Sequence, residues 1–274
     1  MVNNGIFDSH CHLMSRHYQN EELDNLLNNA FVAGVGNILN VGFNLATSNQ
    51  AVSQAYQYAS NNNVPKIFAA VGIHPTEVGK ANSKAMAELV KFIQTGKVIA
   101  IGEIGLDYFH QDTPVELQKK WFTEQLKIAK KYDLPVLLHI RNAFNDAYEI
   151  VKEQGITKGI LHCFTGTKEI AEKFLKLGFY ISFAGNLTYK NAKELQAVIK
   201  EIPNNRILVE TDAPYLTPEP LRGKKPNKSG LTVNFPVNIV FTVRKIAELK
   251  KIPEQTVRKM VNDNAISLFN LNKN

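Results

Sequence analysis

Short apolar runs alternate with longer segments of helical period along most of the chain. Eight of these runs are predicted to be strands, and they cover residues 5–13, 37–42, 66–73, 98–106, 135–139, 159–163, 179–183 and 206–210. Alternation of this kind is typical of βαβ units around a parallel sheet. Eight rounds in about 210 residues predict an α/β fold, a (β/α)8 TIM barrel. An open doubly wound sheet would give a similar pattern and remains the alternative.

The clearest predicted helix follows Thr113. Its start combines a capping hydroxyl on Thr113, Pro114 in the first turn and a reciprocal Glu116, which together predict a capping box. After the eighth strand, a loop rich in Pro, Gly and Lys covers residues 213–235, and two further amphipathic helices follow it. The chain is therefore expected to form a single domain, residues 1–274, with additional C-terminal helices.

Composition narrows the class of protein. With 274 residues, 44% of them hydrophobic, the chain can bury a large core without disulfides. Cys11 and Cys163 each lie beside a histidine in an apparent strand and are interpreted as reduced packing residues. The sequence contains neither an export signal nor a run of about 18 apolar residues, so we expect a cytoplasmic protein without a membrane role. A net charge of +7 is compatible with an anionic partner but does not identify one.

Histidines concentrate at the ends of the predicted strands. Five of the seven lie at or just beyond the C-terminal ends: His10, His12, His74, His139 and His162. In a barrel these ends surround one shared mouth, and catalytic residues come from them. This placement predicts an active site at that mouth.

Two histidines and two carboxylates give this site the chemistry of a metal centre. His10 and His12 share one face of a strand, because side chains alternate with period two, and imidazole nitrogens suit a divalent metal. Glu103 lies in an apolar strand, where it needs a cation or hydrogen-bond donors, and Asp212 follows the last strand. Taken singly, the His-x-His pair could be chance, Glu103 an interior ion pair and Asp212 a turn cap.

Taken together, the strand ends supply four imidazoles and two carboxylates from five strands. The histidines are His10, His12, His139 and His162. This set is enough for two metal ions about 3.5 to 4 Å apart, bridged by a carboxylate and able to activate a water molecule. Hydrolysis is the reaction class that this arrangement predicts.

Six ordered segments resemble those of the TatD family of metal-dependent deoxyribonucleases, within the amidohydrolase-like hydrolases. They are Asp8-Ser9-His10-Cys11-His12-Leu13, Val71-Gly72-Ile73-His74-Pro75, Gly102-Glu103-Ile104-Gly105-Leu106-Asp107-Tyr108, Leu138-His139-Ile140-Arg141, His162-Cys163-Phe164-Thr165-Gly166, and Glu210-Thr211-Asp212-Ala213-Pro214-Tyr215-Leu216 with Arg222-Gly223-Lys224. Where many relatives continue with Asn-Glu-Pro, this chain has residues 225–230, Lys-Pro-Asn-Lys-Ser-Gly. The resemblance covers nearly the whole chain.

The resemblance implies a ligand set and an activity. His10, His12 and Asp212 would hold one metal, His139 and His162 the other, and Glu103 would bridge them. The implied reaction is cleavage of DNA from a 3′ end by a water molecule that Asp212 orients or deprotonates. Mg²⁺ or Mn²⁺ is usual in the family, whereas histidine-rich ligation favours Zn²⁺.

Basic residues near the predicted mouth are candidates for phosphate contacts. They are His74, Arg141, Arg222 and Lys224, with Lys225 and Lys228 in the same loop. Tyr108, Phe109 and Tyr215 could stack on bases or close the barrel top, whereas Phe164 is expected to pack. Asn264 is expected to be a buried hydrogen-bonding residue.

Two other functions stay open at this level. Related barrels with similar ligands hydrolyse amides and lactones, so a small-molecule amidohydrolase or lactonase is the first alternative. A non-catalytic nucleic-acid-binding protein on the same fold is the second. DNA, single-stranded or at a 3′ end, is the expected partner, and a monomer is favoured.

Overall fold

Eight parallel strands close into a barrel in the computed structural model, which describes residues 5–18, 22–82, 84–110, 112–224 and 232–271. Each strand pairs with the next along the chain, and the last pairs with the first through Asp8 and Val209. The strands are β1 (Ile6–Cys11), β2 (Val35–Val41), β3 (Lys66–Val71), β4 (Val98–Asp107), β5 (Val136–Arg141), β6 (Gly159–Leu161), β7 (Tyr180–Phe183) and β8 (Ile207–Val209). The predicted TIM barrel is confirmed, and the open sheet is excluded.

Helices connect consecutive strands, and two more follow β8. In the described residues they are α1 (Leu23–Val32), α2 (Leu45–Gln57), α3 (Ala85–Gln94), α4 (Val115–Lys131), α5 (Phe144–Glu153), α6 (Lys168–Lys176), α7 (Lys193–Glu201), α8 (Ile239–Lys250) and α9 (Glu254–Phe269). The two predicted C-terminal helices are α8 and α9. Asn264 on α9 is buried and donates to the carbonyls of Asn204 and Ile207, as expected.

The capping box predicted at the start of α4 is wrong. The helix begins at Val115 after Pro114 and has no side-chain cap. The Thr113 hydroxyl instead donates to the carbonyl of Thr76, in the loop after β3. The Thr113 hydroxyl, which the local sequence predicted as a helix cap, is therefore used in a tertiary hydrogen bond instead.

The core has two layers, which together leave only one end of the barrel open. Inside the barrel, side chains from every strand pack on one another: Phe7, Leu39, Val41, Ala70, Ala100, Leu137, Ile160, Tyr180 and Leu208. Ala265, Leu268 and Phe269 of α9 join this interior cluster, and Phe269 stacks on Phe7 with ring centroids 5.4 Å apart. Helix α9 covers the end where the strands begin. Because all eight strands are parallel, the polar side chains at their carboxyl ends meet at the opposite end.

Candidate metal centre

The carboxyl ends of the strands bring the six predicted ligands together at the base of one cleft of about 1350 Å³, which five of them line while His10 is fully buried. Within the described residues, four groups of side chains have the spacing of metal ligands, and two of them consist of predicted ligands alone: His10, His12 and Asp212, and Glu103, His139 and His162. These are the two groups that the resemblance implied, with Glu103 in the second.

The first group joins β1 to the loop after β8. The Nε2 atoms of His10 and His12 lie 3.2 Å apart, and Asp212 Oδ1 is 3.8 Å and 3.5 Å from them. Cys11, between the two histidines, points into the outer core layer, as the period-two argument requires. The Asp212 side chain is 13% exposed and faces the cleft, so this group borders the solvent-filled space.

Glu103 lies between the two groups. Its Oε1 is 2.9 Å from His139 Nδ1 and from His162 Nε2. Its Oε2 faces the first group, 3.6 Å from His10 Nε2 and 3.8 Å from His12 Nε2. The carboxylate therefore reaches both groups at once, one oxygen toward each.

The environment of Glu103 favours its ionised form, as the direction of its pKa shift shows. Burial opposes ionisation, but the nearby imidazoles of His162 and His74 and hydrogen bonds from His10 and His139 outweigh it, and the pKa lies well below its ordinary value. The pKa of Asp212 is likewise lowered: burial opposes this shift, and the histidines of the site produce it. Both groups are therefore carboxylates at neutral pH, the form that binds a cation.

Three of the four histidines have their outer nitrogen fixed by an acceptor. His12 Nδ1 donates to the Val41 carbonyl at 2.8 Å. His139 Nε2 is 3.1 Å from Asp107 Oδ2, and His162 Nδ1 is 3.3 Å from Glu210 Oε1. The inner nitrogen of each ring faces the site and is the one that would give up its proton to bind an ion, which is the arrangement of histidines that bind metal. The chemistry of these residues therefore fits a centre that binds divalent metal.

Asp107 and Glu210 are functional candidates to which the sequence analysis gave no role. Both side chains are fully buried. Asp107 also accepts from the amides of Phe109 and His110 and from His110 Nδ1, and Glu210 accepts from the Cys163 amide at 2.7 Å. An acidic residue at the end of an apolar strand was the available signal, the one that identified Asp212.

Gly105 sets the distance between β4 and β5 at this point. Its φ is +143°, and a Cβ atom there would collide with the carbonyl of His139. Only glycine lets β4 approach β5 so closely beside the His139 ligand. The Gly-Leu-Asp sequence after Glu103 is thus a local requirement of the site.

His74 lies beside Glu103 in a defined tautomer. Its Nδ1 accepts from the Thr76 amide at 3.2 Å, so the proton is on Nε2, 3.6 Å from Glu103 Oε1. Burial, followed by the nearby charge of His139, lowers the pKa of His74 to about 3. His74 is therefore a neutral hydrogen-bond donor facing the site.

The other predicted substrate contacts are placed differently. Arg141 lines the cleft, with its guanidinium carbon 3.7 Å from the ring centroid of Phe109. Arg222 lies over the ring of Tyr189, and neither it nor Lys224 lines the cleft. Lys225, Lys228 and the rest of residues 225–230 lie outside the described residues. A role in substrate binding stays a prediction for Arg222 and Lys224.

The cysteines are free. Cys11 is a buried packing residue, as expected, but Cys163 lines the cleft beside His162, so a packing role alone is wrong for it. The reason is the backbone of Cys163, which turns at φ +43° where β6 has ended. Phe164 is buried and packs, as predicted.

Comparisons with known proteins show which family this chain resembles. The model of the family described as TatD related DNase matches residues 7–270. The chain is 38% identical to an uncharacterized metal-dependent hydrolase, YabD, of Bacillus subtilis, over 97% of this chain and 100% of that protein. It is 31% identical to YcfH of Escherichia coli, another uncharacterized metal-dependent hydrolase, over 97% of this chain and 96% of the relative.

A solved structure extends the likeness to the fold. The TatD homologue YJJV of Escherichia coli superposes with a TM-score of 0.86 at 30% identity, over 97% of this chain and 98% of that one. Within the described residues, no helix is both long and apolar enough to cross a membrane. The chain belongs to the TatD family of metal-dependent hydrolases.

Proposed function

We propose that this protein hydrolyses phosphodiester bonds of DNA with two divalent metal ions, releasing nucleotides from a 3′ end. The observation that carries the proposal is the pair of ligand groups joined by Glu103 at the base of an open cleft. His10, His12 and Asp212 would hold one ion and His139 and His162 the other, with Glu103 between them. Mg²⁺, Mn²⁺ and Zn²⁺ are the candidate ions.

The chain's own residues have distinct parts in this reaction. Bound ions would supply acidity to a water molecule and withdraw charge from the phosphate oxygens. Asp212, ionised and at the open side, orients the attacking water and accepts its proton. His74 presents a neutral N–H toward the same space, and Arg141 brings a positive charge to the cleft wall. Both stabilise charge that develops on the phosphate.

The size of the cleft supports an extended substrate over a small one. Its volume of about 1350 Å³ exceeds the range of about 300 to 1,000 Å³ for pockets that enclose small molecules. The net charge of +7 and the family description as a DNase point the same way. A lactonase or amidase would have no use for the added length of the cleft, and a protein that only binds DNA would not need the buried carboxylates.

The test is cleavage of end-labelled single-stranded DNA by chelator-stripped protein, with Mg²⁺, Mn²⁺ or Zn²⁺ restored separately. We expect metal-dependent shortening from the 3′ end, lost in Glu103→Ala. Glu77→Ala is the matched control, because Glu77 lines the same cleft but pairs with Lys80, outside the histidine groups.

The same preparations are assayed on lactones and amides. Turnover of those compounds without DNA cleavage would refute the proposal in favour of a small-molecule hydrolase. DNA binding without cleavage under any of the three ions would refute it in favour of a binding protein.

A further inference from the structure

Exposed aromatic rings are few among the described residues; Tyr215 lines the cleft, and Phe109 lies against Arg141, which lines it. Among the described residues, the large hydrophobic side chains that are exposed are Val32, Tyr56, Phe109, Val115 and Tyr215. Phe109 and Tyr215 follow strands that carry site residues, whereas Tyr56 is on α2 and binds the carbonyl of Thr95, before β4. Two of the three exposed aromatic rings are therefore at the mouth of the barrel.

The two rings stand on opposite sides of the site. Phe109 comes two residues after Asp107 at the end of β4, and Tyr215 comes three residues after Asp212, beyond β8. Three strands lie between β4 and β8 in either direction around a closed barrel of eight. Phe109 is thus on the side of the mouth where β4 and β5 end, against Arg141, and Tyr215 is on the other side, beside His12.

One face of the Phe109 ring is covered by Arg141. The Arg141 guanidinium lies 3.7 Å from its ring centroid, and the His110 ring meets it nearly at right angles, at 86°. The side chain is nevertheless 54% exposed, so the face away from Arg141 is open to solvent. The position of Arg141 is fixed because Asp107 and Arg141 are partners in the ladder between β4 and β5. A positive charge behind an open aromatic face suits a nucleotide, which has a flat base and an anionic phosphate.

Tyr215 offers a second surface at the other wall. It is 44% exposed and lines the cleft, and its ring stands edge-on to the rings of His12 and His17, each with centroids 6.1 Å away. The edge-on neighbours support the ring without covering both of its faces. A base could therefore lie against Tyr215 while its phosphate reaches the ligand groups.

We propose that Phe109, backed by Arg141, and Tyr215 bind the bases of the two nucleotides that flank the cleaved phosphodiester. This inference rests on the proposed function and adds that the bases beside the cleaved linkage are unpaired. Stacking needs the faces of the bases to be free, and in a duplex those faces are covered by neighbouring pairs. The enzyme therefore acts on unpaired nucleotides, splayed to either side of the metal centre.

The test compares the effect of removing the Phe109 ring with the effect of removing the base that would stack on it. Single-stranded oligonucleotides are prepared with a reduced abasic residue on one side or the other of the attacked linkage, and kcat and KM are measured for the wild type and for Phe109→Ala. Stacking of one base on an aromatic side chain predicts a rise in KM of about tenfold for Phe109→Ala on the intact strand. One of the two abasic strands should show the same rise with the wild type, but almost no further rise with Phe109→Ala.

Matched variants separate stacking from general damage. Tyr56→Ala removes an equally exposed ring, one with Lys97 over it, away from the cleft, and should keep the wild-type KM. Phe109→Trp restores a stacking face and should recover the KM. Tyr215→Leu should couple to the opposite abasic position, with Tyr215→Phe retaining more affinity because it keeps the ring.

The outcomes distinguish this inference from the function on which it rests. If the wild type cleaves DNA but the effects of Phe109→Ala and of both abasic positions simply multiply, the stacking surfaces are refuted and the nuclease stands. Equal cleavage of blunt duplex and single strand would refute them as well. If no ion supports DNA cleavage by the wild type, the function and this inference fall together.

Discussion

Asp107→Asn tests whether the outer partners of the histidines control metal binding. The Asp107 carboxylate accepts four hydrogen bonds. Oδ1 takes the amides of Phe109 and His110 at 2.9 Å each, and Oδ2 takes His110 Nδ1 at 2.8 Å and His139 Nε2 at 3.1 Å. An asparagine has one oxygen, so its NH₂ must face either the two amides or the two imidazoles.

Either orientation damages the site. With the NH₂ toward His139, that ring must accept at Nε2, and its proton moves to Nδ1, the nitrogen that faces Glu103. A protonated Nδ1 cannot bind a metal ion. With the NH₂ toward the two amides, buried donors lose their acceptor. Removal of such an outer partner typically costs about 10- to 100-fold in metal affinity or activity, equivalent to about 1.4 to 2.8 kcal/mol.

The assay is titration of chelator-stripped protein with Mn²⁺, followed by the magnetic resonance signal of the free ion. We expect one of two binding steps to weaken in Asp107→Asn. Asp146→Asn is the control: its carboxylate accepts from the Tyr108 hydroxyl and pairs with Lys119, away from the ligands. Wild-type affinity at both steps in Asp107→Asn would show that the tautomer of His139 does not govern ion binding.

Three further predictions concern charge and metal. The pKa of Asp8 is raised from 3.8 to about 8, because burial outweighs the hydrogen bonds from Thr211. The unfolded chain releases that proton at lower pH, so the free energy of unfolding falls as pH rises from about 4 to 8. In chelator-stripped protein, Asp8→Asn should therefore gain stability over the wild type across this window, and a pH-independent difference in denaturant unfolding would contradict the assignment. Asp212→Asn should lower kcat by about 10²- to 10⁴-fold with a smaller loss of DNA affinity, measured by steady-state kinetics and by binding; equal losses would exclude a role in proton transfer. A divalent ion at about 100 times its Kd should stabilise the fold by about 2.7 kcal/mol and raise Tm in calorimetry, whereas the same rise in Glu103→Ala would place the ion elsewhere.

The barrel and the residues that meet at its mouth could be predicted because both depend on local patterns. A strand with two buried faces is a continuous apolar run, and a polar residue at its carboxyl end stands out against that run. Glu103 within β4 and Asp212 after β8 were identified in this way. The two C-terminal helices could be predicted in the same way, from apolar residues repeated at helical spacing.

Features that depend on distant partners could not be predicted. Thr113 has the local signature of a helix cap, yet its hydroxyl is used by Thr76, 37 residues earlier. Glu210 binds His162 across 48 residues, and Asp107 binds His139 across 32. The sequence places these carboxylates near the mouth but does not say which imidazole each one meets. That pairing follows from the order of strands around the closed barrel.

The outer hydrogen bonds of the site also join one strand to another. His12 after β1 donates to Val41 of β2, and His139 of β5 meets Asp107 of β4. Asp8 of β1 accepts from the Thr211 amide at 2.9 Å, beyond β8, where the barrel closes. The groups that fix the imidazole tautomers therefore also hold neighbouring strand ends in register. Each predicted ligand lies on a strand or within three residues of the end of one, which gives a metal centre the rigidity it needs. An ion held by His10, His12, Asp212 and Glu103 would join β1 and β4 to the loop after β8, and would therefore add to the contacts that close the barrel at this end.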